Sequence, residues 1–355
     1  MRRNRVSILI LLSFLSTFAM AGNEDRAGEA GASELLINPW GRSSGWGGSN
    51  SASAFGIEAM HLNVAGLAYT KGTQVNLVNT SWLSGTDVSI NAAGLAQRMG
   101  ESGGVLGISL MSMSFGDLDV TTVDNPDGGL GTFRPNYFNL GAAYSKNFSN
   151  TISGGVVVKL ISQSIANIRA TGIAIDAGVN YVTGDNDQLK FGIALRNVGP
   201  TMQYQGNGLS DRYEDPATEK QLTINQRSND FELPSLLNIG LSYDFYLGMD
   251  PESEELSEHR LTTAGTFTSN SFTKDQFRIG AEYAFREMFM IRGGYVYEAD
   301  AEDVNETQTT SAGPTFGATI EVPVGKSGAT FGIDYSYRVT RTFDGTNAIG
   351  VALNF

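Results

Sequence analysis

Apolar and polar residues alternate with a period of two in short segments from about position 75 to the C-terminus. In one segment, Leu237, Ile239 and Leu241 alternate with Asn238 and Gly240. A period of two places successive side chains on opposite faces of an extended chain, which predicts β-strands. Fourteen segments follow this rule: 75–84, 87–98, 104–114, 136–146, 152–162, 171–182, 189–197, 236–246, 260–268, 275–285, 289–297, 314–322, 329–338 and 346–355.

The connections between these segments differ systematically in length. The long ones, 115–135, 198–235 and 298–313, all follow odd-numbered strands, whereas most of the others are short. Short periplasmic turns, long outer loops and an even number of strands are typical of bacterial outer-membrane barrels. The exception is 247–259, which would be a long periplasmic turn. The pattern predicts an all-β fold, a 14-stranded antiparallel transmembrane β-barrel.

A soluble β-sandwich would show the same alternation. The C-terminal strand helps to distinguish a soluble sandwich from a membrane barrel. Ile349, Val351 and Leu353 alternate with small or polar residues, and the chain stops at Phe355. An amphipathic last strand that ends in Phe is similar to the signal read by the outer-membrane assembly machinery. We therefore interpret Phe355 as an assembly signal and expect the protein in the outer membrane.

The N-terminus has the three parts of a secretory signal peptide. Arg2, Arg3 and Arg5 precede an apolar run over residues 8–18, and a small-x-small site ends at Ala21. The apolar run is too short to span a bilayer, which favours a cleaved signal over an anchor. We expect residues 1–21 to be removed.

Residues 22–74 do not alternate and are rich in glycine, serine and alanine. A barrel of this width leaves a lumen that must be filled by something. The predicted organisation is therefore a signal peptide over 1–21, a hatch or plug over 22–74 and a barrel over 75–355.

Composition and charge narrow the function classes. The chain has 43 glycines, 9 prolines and only 17% charged residues, which suits strands joined by turns. Its net charge of −13 argues against nucleic acid as a partner, because phosphates require a basic surface. The absence of cysteine excludes disulfides and thiolate metal sites.

Candidate catalytic chemistry is sparse. The two histidines are His61 in the N-terminal segment and His259 in an acidic turn. Neither has a recognisable partner for a Ser-His-Asp site, and two histidines do not make a histidine cluster for a metal. Acidic clusters near 211–219, 250–258 and 298–306 lack the ordered spacing of a calcium loop and are interpreted as solvated loops. We expect no enzymatic activity, no cofactor and no metal.

Two short motifs lie in the N-terminal segment, GRSSGWGG over 41–48 and NVAGLA over 63–68. They resemble the pattern G-x-R-x-x-G-M-G-G followed by N-P-A-G-L-A. That pattern is found in the FadL-like long-chain fatty-acid transporter superfamily, and within it in the PorV/PorQ family of the type IX secretion system of Bacteroidota. The matching hatch residues are Arg42, Gly45, Gly47, Gly48, Asn63, Gly66 and Leu67. Trp46 and Val64 replace the usual Met and Pro. The segments 32–37 and 196–200 are also similar to that family.

The resemblance implies a secretion component rather than an enzyme. Such a barrel docks on the giant type IX translocon barrel, binds cargo proteins through their C-terminal domains and passes them to the surface attachment complex. Outer-membrane lipid is the remaining expected partner. Loops on a rigid scaffold often carry function, so the outer loops are the expected binding surface. The candidate residues are Phe133, Arg134, Tyr137, Tyr204, Arg212 and Tyr213.

The alternative is a FadL-like passive transporter of hydrophobic molecules across the outer membrane. A transporter needs an apolar pocket with an exit, whereas a docking barrel needs a plugged lumen and an exposed apolar patch. A porin-like open pore is a third reading, which a hatch in the lumen would disfavour. Whether the barrel interior contains an apolar pocket, and whether the outer loops expose an apolar patch, would therefore distinguish these functions.

Overall fold

The strands form one closed antiparallel barrel. The computed structural model describes residues 26–100, 103–214, 221–248, 257–299, 301, 309–310, 312–325, 328–340 and 343–355. Within that part of the chain the barrel has fourteen strands, each paired with its neighbours in sequence, and the last pairs with the first. The strands are β1 Thr73–Ser81, β2 Ser89–Arg98, β3 Val105–Ser114, β4 Asn136–Asn147, β5 Ile152–Ile165, β6 Ile168–Thr183, β7 Leu189–Val198, β8 Leu236–Leu247, β9 His259–Asn270, β10 Gln276–Phe285, β11 Phe289–Glu298, β12 Gly313–Val324, β13 Ala329–Arg338 and β14 Thr346–Asn354. The predicted 14-stranded barrel is confirmed.

The main difference from the predicted strands lies between β5 and β6. The sequence predicts a loop over 163–170, but β5 runs to Ile165 and β6 starts at Ile168. Outward positions here are polar, as at Ser162 and Thr171, so the apolar alternation stops while the hydrogen-bonded ladder continues. A strand that continues past the apolar band loses the hydrophobic pattern on which the prediction depends.

The long outer loops contain short strands of their own. Leu118–Asp119 pairs with Thr132–Phe133 in the loop after β3. Tyr204–Gln205 pairs with the start of β6. In the same loop, Ser210–Glu214 pairs antiparallel with Gln221–Asn225, and these two strands are called the outer hairpin.

The barrel wall is apolar outside and polar inside. On β8, Leu241 and Phe245 are 54% and 44% exposed, whereas Asn238 and Asp244, which point inward, are buried. This is the reverse of a water-soluble barrel and is what a lipid-facing wall requires. The protein is an outer-membrane barrel. Among the described residues, no helix has the length and hydropathy to cross a bilayer.

A hatch made of residues 26–72 crosses the lumen from the outer end to the periplasmic end. At the outer end Gly31 N donates to Glu232 O at 3.0 Å, and at the other end Thr73 N donates to Phe355 O at 3.1 Å. The hatch contains the helices α1 Gly41–Gly45 and α2 Ala59–Leu62 and the 3-10 helices Ser33–Leu36, Gly56–Glu58 and Val64–Tyr69. The predicted signal peptide lies outside the described residues.

Hatch and wall share one apolar core. Trp40, Ile57 and Leu67 of the hatch are at most 2% exposed and pack against small or branched residues of the wall. Wall glycines make room for this contact. A Cβ on Gly107 would lie 2.8 Å from Met60 Sδ. The hatch is therefore a packed part of the barrel rather than a loose segment.

The path of the hatch predicts which side of the membrane each end faces. The chain has no cysteine, so single-cysteine variants can be labelled cleanly. We expect Ala27→Cys, an exposed position beside the outer loops, to react with a bulky membrane-impermeant maleimide on intact cells. Lys71→Cys, at the periplasmic end, should react only after the outer membrane is permeabilised. The opposite pattern would invert the assigned orientation.

Candidate functional site

Wall side chains hold the irregular backbone of the hatch. Asn180 Nδ2 donates to Ala52 O at 2.9 Å, and Thr266 Oγ1 donates to Ser49 O at 2.7 Å. Thr315 Oγ1 donates in the same way to Gly45 O at 3.0 Å. Buried backbone carbonyls need such partners when no regular ladder supplies them. The inward polar residues of the strands thus fix the plug in one position.

The hatch motif residues occupy positions that explain their identity. Asn63 Oδ1 accepts from Ala65 N at 3.1 Å and caps the following 3-10 helix, while its Nδ2 donates to Asn180 Oδ1 at 3.1 Å on β6. A Cβ on Gly66 would lie 2.0 Å from Ala54 O, so only glycine fits there. Leu67 is fully buried in the shared core. Asn63, Gly66 and Leu67 therefore pack the hatch against the wall.

The glycines of the first motif are needed for close approach and for backbone conformation. A Cβ on Gly45 would lie 2.9 Å from Gly317 Cα on β12. Gly47 and Gly48 have φ of 64° and 74°, a region that favours glycine. Trp46, which replaces the usual Met of the motif, is 3% exposed. The substituted side chain is therefore accommodated inside the plug.

Arg42 belongs to a buried ion cluster that joins hatch and wall. Its Nη2 lies 2.9 Å from Glu282 Oε1 on β10. Arg292 Nε lies 2.8 Å from Glu282 Oε2, and Arg260 Nη2 lies 3.3 Å from Oε1. Glu282 is 2% exposed, so one buried carboxylate serves three guanidinium groups. The resemblance identified Arg42, but the sequence offered no signal for its partners.

A β-bulge interrupts the pairing of β6 with β7. Arg196 and Asn197 on β7 together oppose Asp176 on β6, and Asn197 has a φ of 59°. Asp176 Oδ1 accepts from Asn197 N at 2.7 Å, and its Oδ2 lies 2.5 Å from Lys159 Nζ. Asn197 Nδ2 donates to Pro234 O at 3.0 Å in the outer loop. The similarity noted at 196–200 therefore marks a bulge that anchors the long loop after β7.

His61 faces cations rather than a nucleophile. Arg196 Nη2 lies 3.3 Å from its Nδ1 and 3.2 Å from its Nε2. Burial, reinforced by Arg196 and Lys159, holds the pKa of His61 well below its usual value. His259 Nδ1 lies 2.6 Å from Tyr283 Oη. Neither histidine is placed for nucleophilic catalysis.

Two interior cavities have linings that combine charged and apolar residues. The larger, about 620 Å³, lies at the periplasmic end and is lined by both signs of charge, including Lys190, Asp244 and Glu321. The smaller, about 50 Å³, lies between hatch and wall and has room for a few water molecules. It is lined by Trp40 and Met60 but also by Glu34, whose pKa is raised to about 7 by burial. The two cavities share no lining residue, because the hatch separates them.

The six outer-loop candidates fall into two groups. Tyr137 and Tyr204 are half-buried: the Tyr137 ring packs 4.9 Å from Phe115, and Tyr204 Oη donates to Gln163 Oε1 at 2.6 Å. Both support the rim of the barrel. The structure does not bring all six together on one surface.

The other four candidates lie in the loops after β3 and β7. Phe133 is half-buried, while Arg134 is exposed and paired with Asp117 at 2.8 Å. Arg212 and Tyr213 are exposed on the outer hairpin. Leu222, which lies opposite Tyr213, and Ile224 are exposed apolar residues that the sequence did not mark, because both fall in the predicted loop 198–235.

Comparisons with known proteins identify the architecture. No protein-family model and no curated protein matches the chain. The CymD monoaromatic hydrocarbon channel is 12% identical with a TM-score of 0.53, over 90% of this chain and 98% of that one. The two chains share a fold. The Ralstonia pickettii toluene transporter TbuX is 14% identical with a TM-score of 0.52, over 89% and 98%. The P. putida toluene transporter TodX is 13% identical with a TM-score of 0.53, over 90% and 97%.

These matches agree with the barrel fold and the outer-membrane location expected from the sequence. They are described as channels and transporters. Of the two expected functions they favour the alternative, passage of hydrophobic molecules, and none of them concerns protein secretion. At this level of identity the likeness is one of fold.

Proposed function

We propose that this barrel is a protein-docking component of the outer membrane, in the type IX secretion system implied by the hatch motif. The observation that carries the proposal is the exposed apolar face of the outer hairpin. It lies on a loop beyond the ends of β7 and β8, above the β5–β6 turn, where Gly208 N donates to Asn167 O at 3.4 Å. Apolar side chains outside the membrane point to a protein partner.

The lumen supports the same proposal. A channel for hydrophobic molecules needs a continuous apolar path, but charged residues such as Lys190, Asp244 and Glu282 interrupt the lining of the larger cavity, and the smaller has room for only a few waters. The hatch between them is bonded to at least three strands of the wall by side chains such as Asn180, Thr266 and Thr315. Opening a path would require several of these buried bonds to break together.

Transport of small hydrophobic molecules is the second candidate. What supports it is the architecture shared with the CymD, TbuX and TodX channels over about nine-tenths of this chain. In this reading the hatch would have to rearrange during passage of the ligand.

Deletion of the protein in its source bacterium tests both candidates. We expect proteins that carry type IX C-terminal domains to disappear from the cell surface, as measured by protease shaving and mass spectrometry. Growth on long-chain fatty acids and uptake of radiolabelled toluene should be unchanged, because no channel is lost. A strain that keeps its surface proteins but loses uptake would establish transport instead.

A further inference from the structure

The outer hairpin is a two-stranded sheet with unpaired outer edges. Ser210–Glu214 and Gln221–Asn225 pair with each other, and neither has a second neighbour within the part of the chain that the structure describes. All ten residues are exposed. A lone hairpin is only marginally stable in water, and an unpaired edge offers N–H and C=O groups to another strand. The hairpin would therefore gain stability from a third strand.

The hairpin has one apolar face. Tyr213 lies opposite Leu222 and Asp211 opposite Ile224, so these four side chains share a face. Tyr213, Leu222 and Ile224 are 48%, 51% and 48% exposed. A third strand with apolar residues at every second position would extend this face, since alternate side chains of a strand point the same way.

The charge around the hairpin restricts the partner further. The loops 115–135, 199–235 and 299–312 together contain fourteen acidic and four basic residues, a net charge of −10. Most of the −13 of the whole chain is therefore concentrated in the outer loops. Such a surface attracts basic segments and repels a second copy of itself.

We propose that the outer hairpin binds a basic, extended segment of a partner protein as a third β-strand. This inference rests on the docking function proposed above and names the chemistry of the contact. Main-chain hydrogen bonds at the free edge would supply affinity, and alternate apolar side chains over Tyr213 and Leu222 would supply specificity. The basic residues between them would meet the acidic loops.

Peptide binding to the purified full-length protein in detergent micelles tests the mode of contact. The probe is a fluorescent seven-residue peptide of alternating Lys and Val, followed by fluorescence anisotropy. The same peptide N-methylated at every peptide bond keeps charge and side chains but cannot donate to a sheet edge. We expect it to bind at least about tenfold more weakly, because two or three hydrogen bonds are lost. Equal affinity of both peptides would reduce the contact to charge attraction and overturn the inference.

Variants of the protein locate the contact. Tyr213→Ser combined with Leu222→Ser should weaken binding of the Lys/Val peptide, because the apolar face is removed. Val123→Ser is the matched control, since Val123 is a 99% exposed apolar residue on another acidic loop. If the control weakens binding as much as the double variant, the hairpin is not the site. The N-methyl comparison leaves the protein unchanged, so it decides the question even if the double variant loses the hairpin.

A strain with a Gly-Ser linker in place of 210–225 separates the two proposals. If surface delivery is lost both in the deletion strain and in the linker strain, the docking function and strand addition at the hairpin are both supported. If the linker strain delivers normally, docking remains and strand addition at the hairpin is wrong. If the deletion strain itself delivers normally, the docking function fails, whereas the peptide result still reports on the hairpin.

Discussion

Replacing Glu282 by Gln is expected to lower the free energy of unfolding by about 3–5 kcal/mol, the usual cost of leaving a buried charge without its partner. Arg292, whose side chain is fully buried, lies 2.8 Å from Glu282 and would keep only the more distant carboxylate of Asp334, at 3.8 Å. Arg42 of the hatch would lose its link to the wall as well. The variant should therefore destabilise hatch and barrel together.

Urea unfolding of the barrel in detergent micelles, followed by tryptophan fluorescence, measures this effect. The matched control is Glu287→Gln, because Glu287 is 58% exposed and pairs with Arg260 at 2.6 Å at the same end of the barrel. An exposed pair contributes at most about 1 kcal/mol, so the control should change little. Similar losses of stability in both variants would mean that Glu282 does not neutralise the buried arginines as proposed. Adding Arg292→Met to Glu282→Gln should restore part of the stability, since the buried cation that lost its nearest carboxylate is then gone.

Replacing Leu241 by Arg is expected to cost about 2–4 kcal/mol in a bilayer, the cost of an arginine near the midplane of a lipid-facing wall. Leu241 lies at the centre of β8 and is 54% exposed on the outer face. A charge there faces hydrocarbon, because neighbouring outward residues are also apolar.

Leu247→Arg is the control for depth. Leu247 lies on the same face at the periplasmic end of β8, so its replacement should cost no more than about 1 kcal/mol near the interface. Refolding into lipid vesicles with a urea titration gives both values. Equal costs at the two positions would contradict the placement of β8 in the membrane.

The strands and the lipid-facing side of the wall were predictable from the sequence. Strand periodicity is local, and a bilayer demands apolar side chains at every second position, so Leu237, Ile239 and Leu241 identify the outer face without further information. The long outer loops followed from the same pattern. The strand ends were less predictable where β5 and β6 continue beyond the apolar band.

The candidate site was predicted only in part. The resemblance identified the hatch residues, and Asn63 and Gly66 have roles that fit their identity. Of the outer-loop candidates, Tyr213 lies on an exposed apolar face, whereas Tyr137 and Tyr204 support the barrel rim. The sequence could not distinguish the exposed tyrosine from the half-buried ones. The exposure of a loop residue depends on which other parts of the chain cover it, and this is decided by the tertiary structure.

What the sequence determined by itself is the barrel, its inside and outside and the presence of a segment to fill it. Only the tertiary structure decided how the lumen is filled. Period two predicts that Ser242 points inward, but its exposure of 1% comes from the packed interior. The contact between Arg42 and Glu282 joins positions 240 residues apart. Such pairs depend on which strands of the wall the hatch meets as it crosses the lumen, and no local pattern of residues encodes contacts between positions so far apart in the sequence.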